Sequence, residues 1–321
     1  MKSPVKAPVD VRGGNIGRRG VLAGLVAIGG VMLLRRPLHA ETIGGATTQV
    51  RRIVSVGGAM TEIVFALGDG GRLVAVDTTS LYPAQATAAL PKVGYLRTLS
   101  TEGVLSTKPD LILLDADAGP TDVIDQLQRL GAPLARFKER PSAASISDKI
   151  VFVGAALHQA EEAAKMAALF RQDLAEVTAG VDKLQQQPSV LFLMNAGATG
   201  LRGAGSNTAA AEMIVLAGGR NVFAQTSGYK AVSAEAALIA NPDVILMMSQ
   251  TVAELGGAEA IADLPVLAKT KAARNRRIFG FDGNYLLGFG PRTAHAVADL
   301  AGVLHPQDSI SAPPPRPWTT A

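Results

Sequence analysis

Tryptophan, tyrosine and phenylalanine make up only 4% of this 321-residue chain, so a tyrosine in a glycine-punctuated stretch stands out. Tyr95 lies in Val93-Gly94-Tyr95-Leu96-Arg97-Thr98-Leu99-Ser100, five residues before a helix N-cap candidate, and reads as part of the loop entering that helix. Arg97 follows two residues on, on the same side if the chain is extended. A free phenol titrates near ~10, so it needs help to serve as an anionic donor at neutral pH; a bound metal supplies most of that help, and a nearby cation can add to it. A second loop repeats the theme with Tyr229 and Lys230, just before Ser233. Two residues beyond each serine comes a carboxylate, Glu102 or Glu235, in a first helical turn where the backbone dipole favours it.

These residues belong to a repeat. Ser100-Thr-Glu102-Gly-Val-Leu105-Ser-Thr-Lys-Pro109-Asp110-Leu-Ile112-Leu113 is echoed 133 positions later by Ser233-Ala-Glu235-Ala-Ala-Leu238-Ile-Ala-Asn-Pro242-Asp243-Val-Ile245-Leu246. Upstream, Glu62 to Gly68 is matched by Glu212 to Gly218; both glutamates sit mid-pattern on helices and read as structural. Each unit predicts a short helix, stopped at a proline, then a continuous apolar run that suits a strand buried on both faces of a parallel sheet. Further strands are expected at Ile53 to Val56, Leu73 to Val76, Leu134 to Phe137, Val190 to Met194 and Arg277 to Phe281, with helices at Thr61 to Leu67, Asp122 to Leu130, Asn207 to Ala217 and Arg292 to Leu304. Strand and helix alternate in both halves, the pattern of parallel α/β architecture. The expected fold is two parallel-sheet α/β lobes, at 50–142 and 188–305, joined by one long helix within 143–187, with a ligand cleft between the lobes. That helix would be of order 50 Å long and a poor hinge, so lobes that move little are expected. The proline-rich tail, 306–321, reads as disordered.

Residues 1–40 read as an export signal. Arg18-Arg19 precedes the apolar run Gly20 to Leu34, and Leu38-His39-Ala40 follows as a small-residue cleavage pattern, with a twin-arginine character at Gly17 to Leu22. Fifteen residues span only about 22 Å as a helix, short of the ~30 Å hydrocarbon core. A mature chain starting near Glu41, free in the periplasm of a Gram-negative bacterium, is expected. The chain has no cysteine, which excludes disulfides, thiolate metal sites and a lipid-anchored N-terminus. Much of its net charge of +4 lies before residue 53, which leaves no basis for a nucleic-acid surface.

Two α/β lobes on a long helix resemble the helical-backbone class of periplasmic binding proteins, which serves importers of siderophores, cobalamin and haem. Val93 to Leu105 and Gly228 to Glu235 are similar to the haem-importer members. The resemblance implies that Tyr95 ligates ferric haem iron, a use for which a phenolate is suited as a hard anionic donor. It implies a basic residue at Lys230 facing the haem, with Arg97 and Tyr229 also contacting ligand. It further implies that Glu102 and Glu235, one per lobe, dock onto arginines of an importer's two-fold permease dimer. Haem b would be transported cargo, not a catalytic cofactor, supplied through an outer-membrane haem receptor upstream to a monomeric carrier. His158, His295 and His305 lie outside the cleft loops, so ligation from the tyrosine side alone is expected. Gly57-Gly58, Ser80, Asn195 to Gly197, Arg202 and Asn284-Tyr285 read as turns or caps. The rivals are a ferric siderophore or cobalamin carrier, which would not need Tyr95 on iron, and an enzyme. The chain has no G-x-S-x-G elbow, Walker A loop or strand-following G-x-G-x-x-G, so an enzyme is not expected. A structural adhesion domain would leave the paired glutamates without a reason.

Overall fold

A computed structural model describes residues 50–140, 142–196 and 200–320. The export-signal reading of 1–40 lies outside these residues. No described helix is long and apolar enough to cross a membrane.

The first lobe is built on strands β1 (Ile53–Val56), β2 (Leu73–Val76), β5 (Leu111–Leu114) and β6 (Leu134–Arg136), all parallel, in the order β2-β1-β5-β6. Every residue of β1 and β5 is buried, as continuous apolar runs require when helices cover both faces. A two-stranded hairpin, β3 (Gly94–Tyr95) with β4 (Thr98–Leu99), stands beside this sheet. The second lobe contains β7 (Ser189–Asn195), β8 (Leu201–Ala204), β9 (Arg220–Asn221), β10 (Tyr229–Val232), β11 (Val244–Met248) and β12 (Ile278–Phe281), ordered β10-β8-β7-β11-β12 with β9 alongside β7. Here the parallel expectation needs correcting. β7, β11 and β12 are parallel, but β8 runs antiparallel to β7 and β10 antiparallel to β8. Tyr229 and Lys230, expected in a loop, therefore lie on an edge strand.

The repeat survives at the level of atoms. Ser100 Oγ accepts from the Gly103 N–H and Ser233 Oγ from the Ala236 N–H, each at 3.1 Å, capping Thr101–Ser106 and Ala234–Ala240. Both helices are followed by a residue at positive φ just before the proline, Lys108 at 48° and Asn241 at 39°, which turns the chain into the strand. The aspartate after each proline then grips the neighbouring strand's entry. Asp110 accepts from the Arg51 and Arg52 N–H groups at 2.9 and 3.0 Å, and Asp243 from the Ser189 N–H and hydroxyl at 2.8 and 2.6 Å. Partial burial pushes the Asp243 carboxyl up, but Lys271 and Ser189 outweigh it and hold it down at about 2. Since its folded value is depressed, its stabilisation is present above the unfolded carboxylate range and is lost as pH falls from about 4 towards 2. Asp243→Asn should flatten that part of an acid-denaturation curve. At neutral pH it should cost about 1 kcal/mol, discounted because the carboxylate is partly solvated.

The expected single helix at 143–187 is two helices, Ala143–Ala156 and Ala160–Val181, broken at Leu157 to Gln159, where His158 takes φ 61°. The two pack on each other. Gly154 makes this possible, since a Cβ there would stand 2.1 Å from Ala163 Cβ. The first helix packs on the first lobe. The second, about 33 Å long, packs on the first and also on Thr293–Leu304 of the second lobe, and so is the long helix that joins them. A continuous core of Met60, Ile146, Phe170, Phe192, Met213 and Leu300 runs through the joint. This contiguity opposes hinge motion more firmly than a bare helix would.

The tail also departs from expectation. Trp318 is buried and donates its indole N–H to the Pro291 carbonyl at 3.1 Å. Arg316 forms a bidentate pair, at 2.9 and 2.5 Å, with Asp173 on the joining helix. Composition spoke for disorder, but one tryptophan and one paired arginine suffice to seat the segment.

Candidate functional site

The carboxyl ends of β1, β2 and β5 face the second lobe, where ligands of open α/β sheets bind. A cavity of about 1420 Å³ lies there, lined from both lobes by Gly57, Thr79, Tyr95, Arg97, Met194, Tyr229, Met248 and Asn284 among others. This exceeds the ~300–1,000 Å³ usual for a drug-sized ligand and leaves room for a larger one.

Its first-lobe wall is held by polar groups that the sequence reading treated as turns. Gly57, at φ 113°, brings the chain so close to Asp115 that a Cβ would meet the Asp115 Cβ at 2.7 Å. Asp77 accepts from the Gly57 and Thr79 N–H groups, each at 2.9 Å, and from the Ser80 hydroxyl at 2.7 Å, fixing the loop after β2. Asp115, on the cavity floor, pairs at 2.8 Å with Lys149, which is fully buried and lies over the Phe137 ring. The signal for this wall was the glycine pair directly after a buried strand.

Tyr95 sits in the β3–β4 hairpin, 43% exposed and on the cavity wall. Leu96 and Arg97 form the turn, so Arg97 reaches the phenol by folding back, not along an extended strand. Its guanidinium donates to Tyr95 Oη at 3.2 Å and to Asp117 Oδ2 at 2.5 Å. Burial disfavours the Arg97 charge, but Asp117 and then Tyr95 outweigh this and hold it protonated. The hairpin is tied to the Asp117 loop by the Gly119 N–H on Leu96 O and the Leu99 N–H on Gly119 O, both at 2.9 Å.

From the second lobe, Tyr229 lines the same cavity and packs edge-on against Phe192, with ring centres 6.4 Å apart. Burial pushes its phenol up, partly offset by hydrogen bonds at Ala210 and Thr208 and by the charge of Arg97. Lys230 is exposed on the alternate face of β10 and is not brought to the cavity wall. Its nearness in sequence to Tyr229 misled, because strand alternation sends neighbours to opposite sides. Among the described residues, no group of three or more His, Cys, Asp or Glu side chains could hold a metal ion.

Glu102 and Glu235 are both exposed in equivalent first turns. The Glu235 carboxyl is held down by its own backbone N–H and by Ser233. Glu62 and Glu212, the other repeated pair, join the lobes. Glu62 makes a bidentate pair with Arg292 at 3.0 and 2.7 Å, and Glu212 accepts from the Ala143 N–H at 2.7 Å. Asn284 adds a hydrogen bond to the Thr79 carbonyl.

Residues 53–285 match the family model described as periplasmic binding protein. This chain belongs to that family. Among solved structures, the binding protein is similar to the periplasmic heme-binding protein RhuT from Roseiflexus sp. RS-1, at 39% identity and TM-score 0.77 over 80% of this chain and 98% of that one. It is also similar to a periplasmic heme-binding protein from Pseudomonas aeruginosa, at 33% identity and TM-score 0.72 over 82% and 96% of the two chains. Among curated proteins it resembles the vitamin B12-binding protein of Yersinia pestis (strain Pestoides F), 33% identical over 61% of this chain and 69% of that protein.

Proposed function

We propose that this chain binds ferric haem between its lobes and delivers it to an ABC importer for haem and iron uptake. The observation that carries the reading is a solvent-reachable phenol oxygen, Tyr95 Oη, backed by Arg97 on the wall of a cavity large enough for a porphyrin. Tyr95 is the axial ligand to iron, Arg97 steadies its oxygen, and Tyr229 contacts the macrocycle from the opposite lobe. The names of the haem-binding structural relatives support this reading. Residues 1–40 direct export to the periplasm, where a monomeric carrier takes haem arriving through an outer-membrane receptor. Haem is cargo throughout, and no catalytic step is assigned.

Adding hemin to the protein lacking residues 1–40 should give a saturable absorption change with a visible band from phenolate-to-iron charge transfer. A parallel titration with cyanocobalamin addresses the reading suggested by the vitamin B12-binding relatives, in which cobalt arrives with its own ligands and the Tyr95–Arg97 pair has no use. Saturable binding of the corrinoid alone would displace the haem reading.

Glu102 and Glu235 dock the loaded carrier on the two halves of the permease, which explains why an exposed carboxylate recurs at the same place in each lobe. Glu102→Arg with Glu235→Arg should leave hemin binding unchanged while lowering haem uptake by a reconstituted importer on the order of tenfold or more. Uptake equal to wild type would refute the docking role.

A further inference from the structure

The carboxylates that line the cavity are answered in different ways. Asp117 pairs with Arg97, Glu212 accepts from the Ala143 N–H, and Asp282 caps the Gly283–Leu287 helix by accepting from the Tyr285 N–H at 2.8 Å. Asp115 is answered from beneath. One of its oxygens accepts from the Ala116 N–H at 2.7 Å, and the other accepts from Lys149 at 2.8 Å. Lys149 is fully buried on the Ala143–Ala156 helix, where Ile146, Ile150 and Val153 are buried with it. That spacing is an inward-facing apolar stripe, with an ammonium set into it.

The surroundings of this ammonium are sparse. The Phe137 ring centre lies 5.6 Å away. The Gly58–Ala66 helix, which carries Glu62, packs alongside. Burial pushes the Glu62 carboxyl up, Arg292 draws it down, and Lys149 adds a smaller pull in the same direction. A buried ion pair is a weak source of stability, because desolvation offsets its attraction and apolar residues of similar volume often serve as well. Stability therefore does not account for a lysine in this stripe. Its position does, because the pair ends on the cavity. Without Lys149, the Asp115 carboxylate would lie uncompensated beneath any occupant of the cleft. Low-dielectric surroundings extend the reach of such a charge.

We infer that Lys149 is a positioning residue that sets the charge selectivity of the cleft: acting through Asp115 and without touching the ligand, it neutralises the cavity floor and so admits an anionic cargo. The inference rests on the haem reading above, since haem with free propionates is such a cargo.

The test compares hemin with hemin dimethyl ester, whose propionates are esterified and uncharged, and reads the ratio of the two affinities. A ratio cancels any loss of packing that weakens both ligands alike. Lys149→Met should lower the hemin-to-ester ratio about tenfold, because an unpaired carboxylate then opposes the anion alone. Asp115→Asn should raise it about threefold, because the ammonium is left unopposed, and Lys149→Met with Asp115→Asn should return it to within about twofold of wild type. Circular dichroism checks that each variant is folded at the assay temperature. If Lys149→Met does not fold, Asp115→Asn decides by the direction of its shift. Ratios equal to wild type in the folded single variants, with hemin still bound saturably, overturn the role of Lys149 and leave the haem reading in place. A wild-type protein that binds neither porphyrin removes both.

Discussion

Tyr95→Phe will remove the charge-transfer absorption from the hemin complex and raise the hemin dissociation constant on the order of a hundredfold. The substitution deletes one oxygen from a side chain that is 43% exposed, so the fold has little to lose. What disappears is the oxygen proposed to hold the iron, while Arg97 stays anchored by Asp117. Arg97→Ala is the informative companion. It should keep the charge-transfer band, because the iron–oxygen bond remains, but weaken binding by a smaller factor, because the phenol loses its positioning hydrogen bond. Absorption titrations of the three proteins separate ligation from positioning. A Tyr95→Phe complex with the wild-type spectrum would mean that another residue holds the iron.

The second large effect is on stability. Glu62→Ala should destabilise the protein by about 3–5 kcal/mol, since it strands a guanidinium desolvated between the lobes. Arg292 stacks 3.7 Å from the Tyr82 ring centre and 5.1 Å from that of Tyr285, and its side chain is only 14% exposed. Burial pushes the Glu62 carboxyl up while Arg292 pulls it the other way, a pair whose members each depend on the other. Arg292→Ala should be comparably damaging for the mirror-image reason. Glu62→Leu with Arg292→Leu should be less destabilising than either single alanine, because no unpaired charge remains. Thermal unfolding of the four proteins checks this, with the single variants expected to fall by roughly 10 °C. A loss below about 1 kcal/mol for Glu62→Ala would show that the pair is not what fastens the lobes.

These predictions draw on different depths of the sequence. The serine caps, the proline stops and the Pro-Asp turns were legible because each is a local device whose hydrogen bonds close within a few residues or onto the adjacent strand. The 133-residue repeat exposed the two-lobed plan and singled out both glutamate pairs. It did not reveal that Glu62 and Glu212 act between lobes, because their partners, Arg292 and the Ala143 N–H, lie far away in the chain. The break at His158 was hidden as well. No proline marks it, and the turn is rewarded only by the close crossing of two helices over Gly154.

The sequence by itself determined the strand–helix alternation of the first lobe, the repeated helix–proline–strand unit that ends in β5 and β11, and the turn-bearing stretch that holds Tyr95, since hydrophobic period, caps and turn residues act over short spans. Tertiary structure alone decided which neighbours of Tyr229 face the cavity, how the tail is seated by Trp318 and Arg316, and that Lys149 meets Asp115 beneath the cavity floor. Strand pairing, burial and charge neutralisation are settled by groups distant in the chain, and a linear pattern carries no measure of that distance.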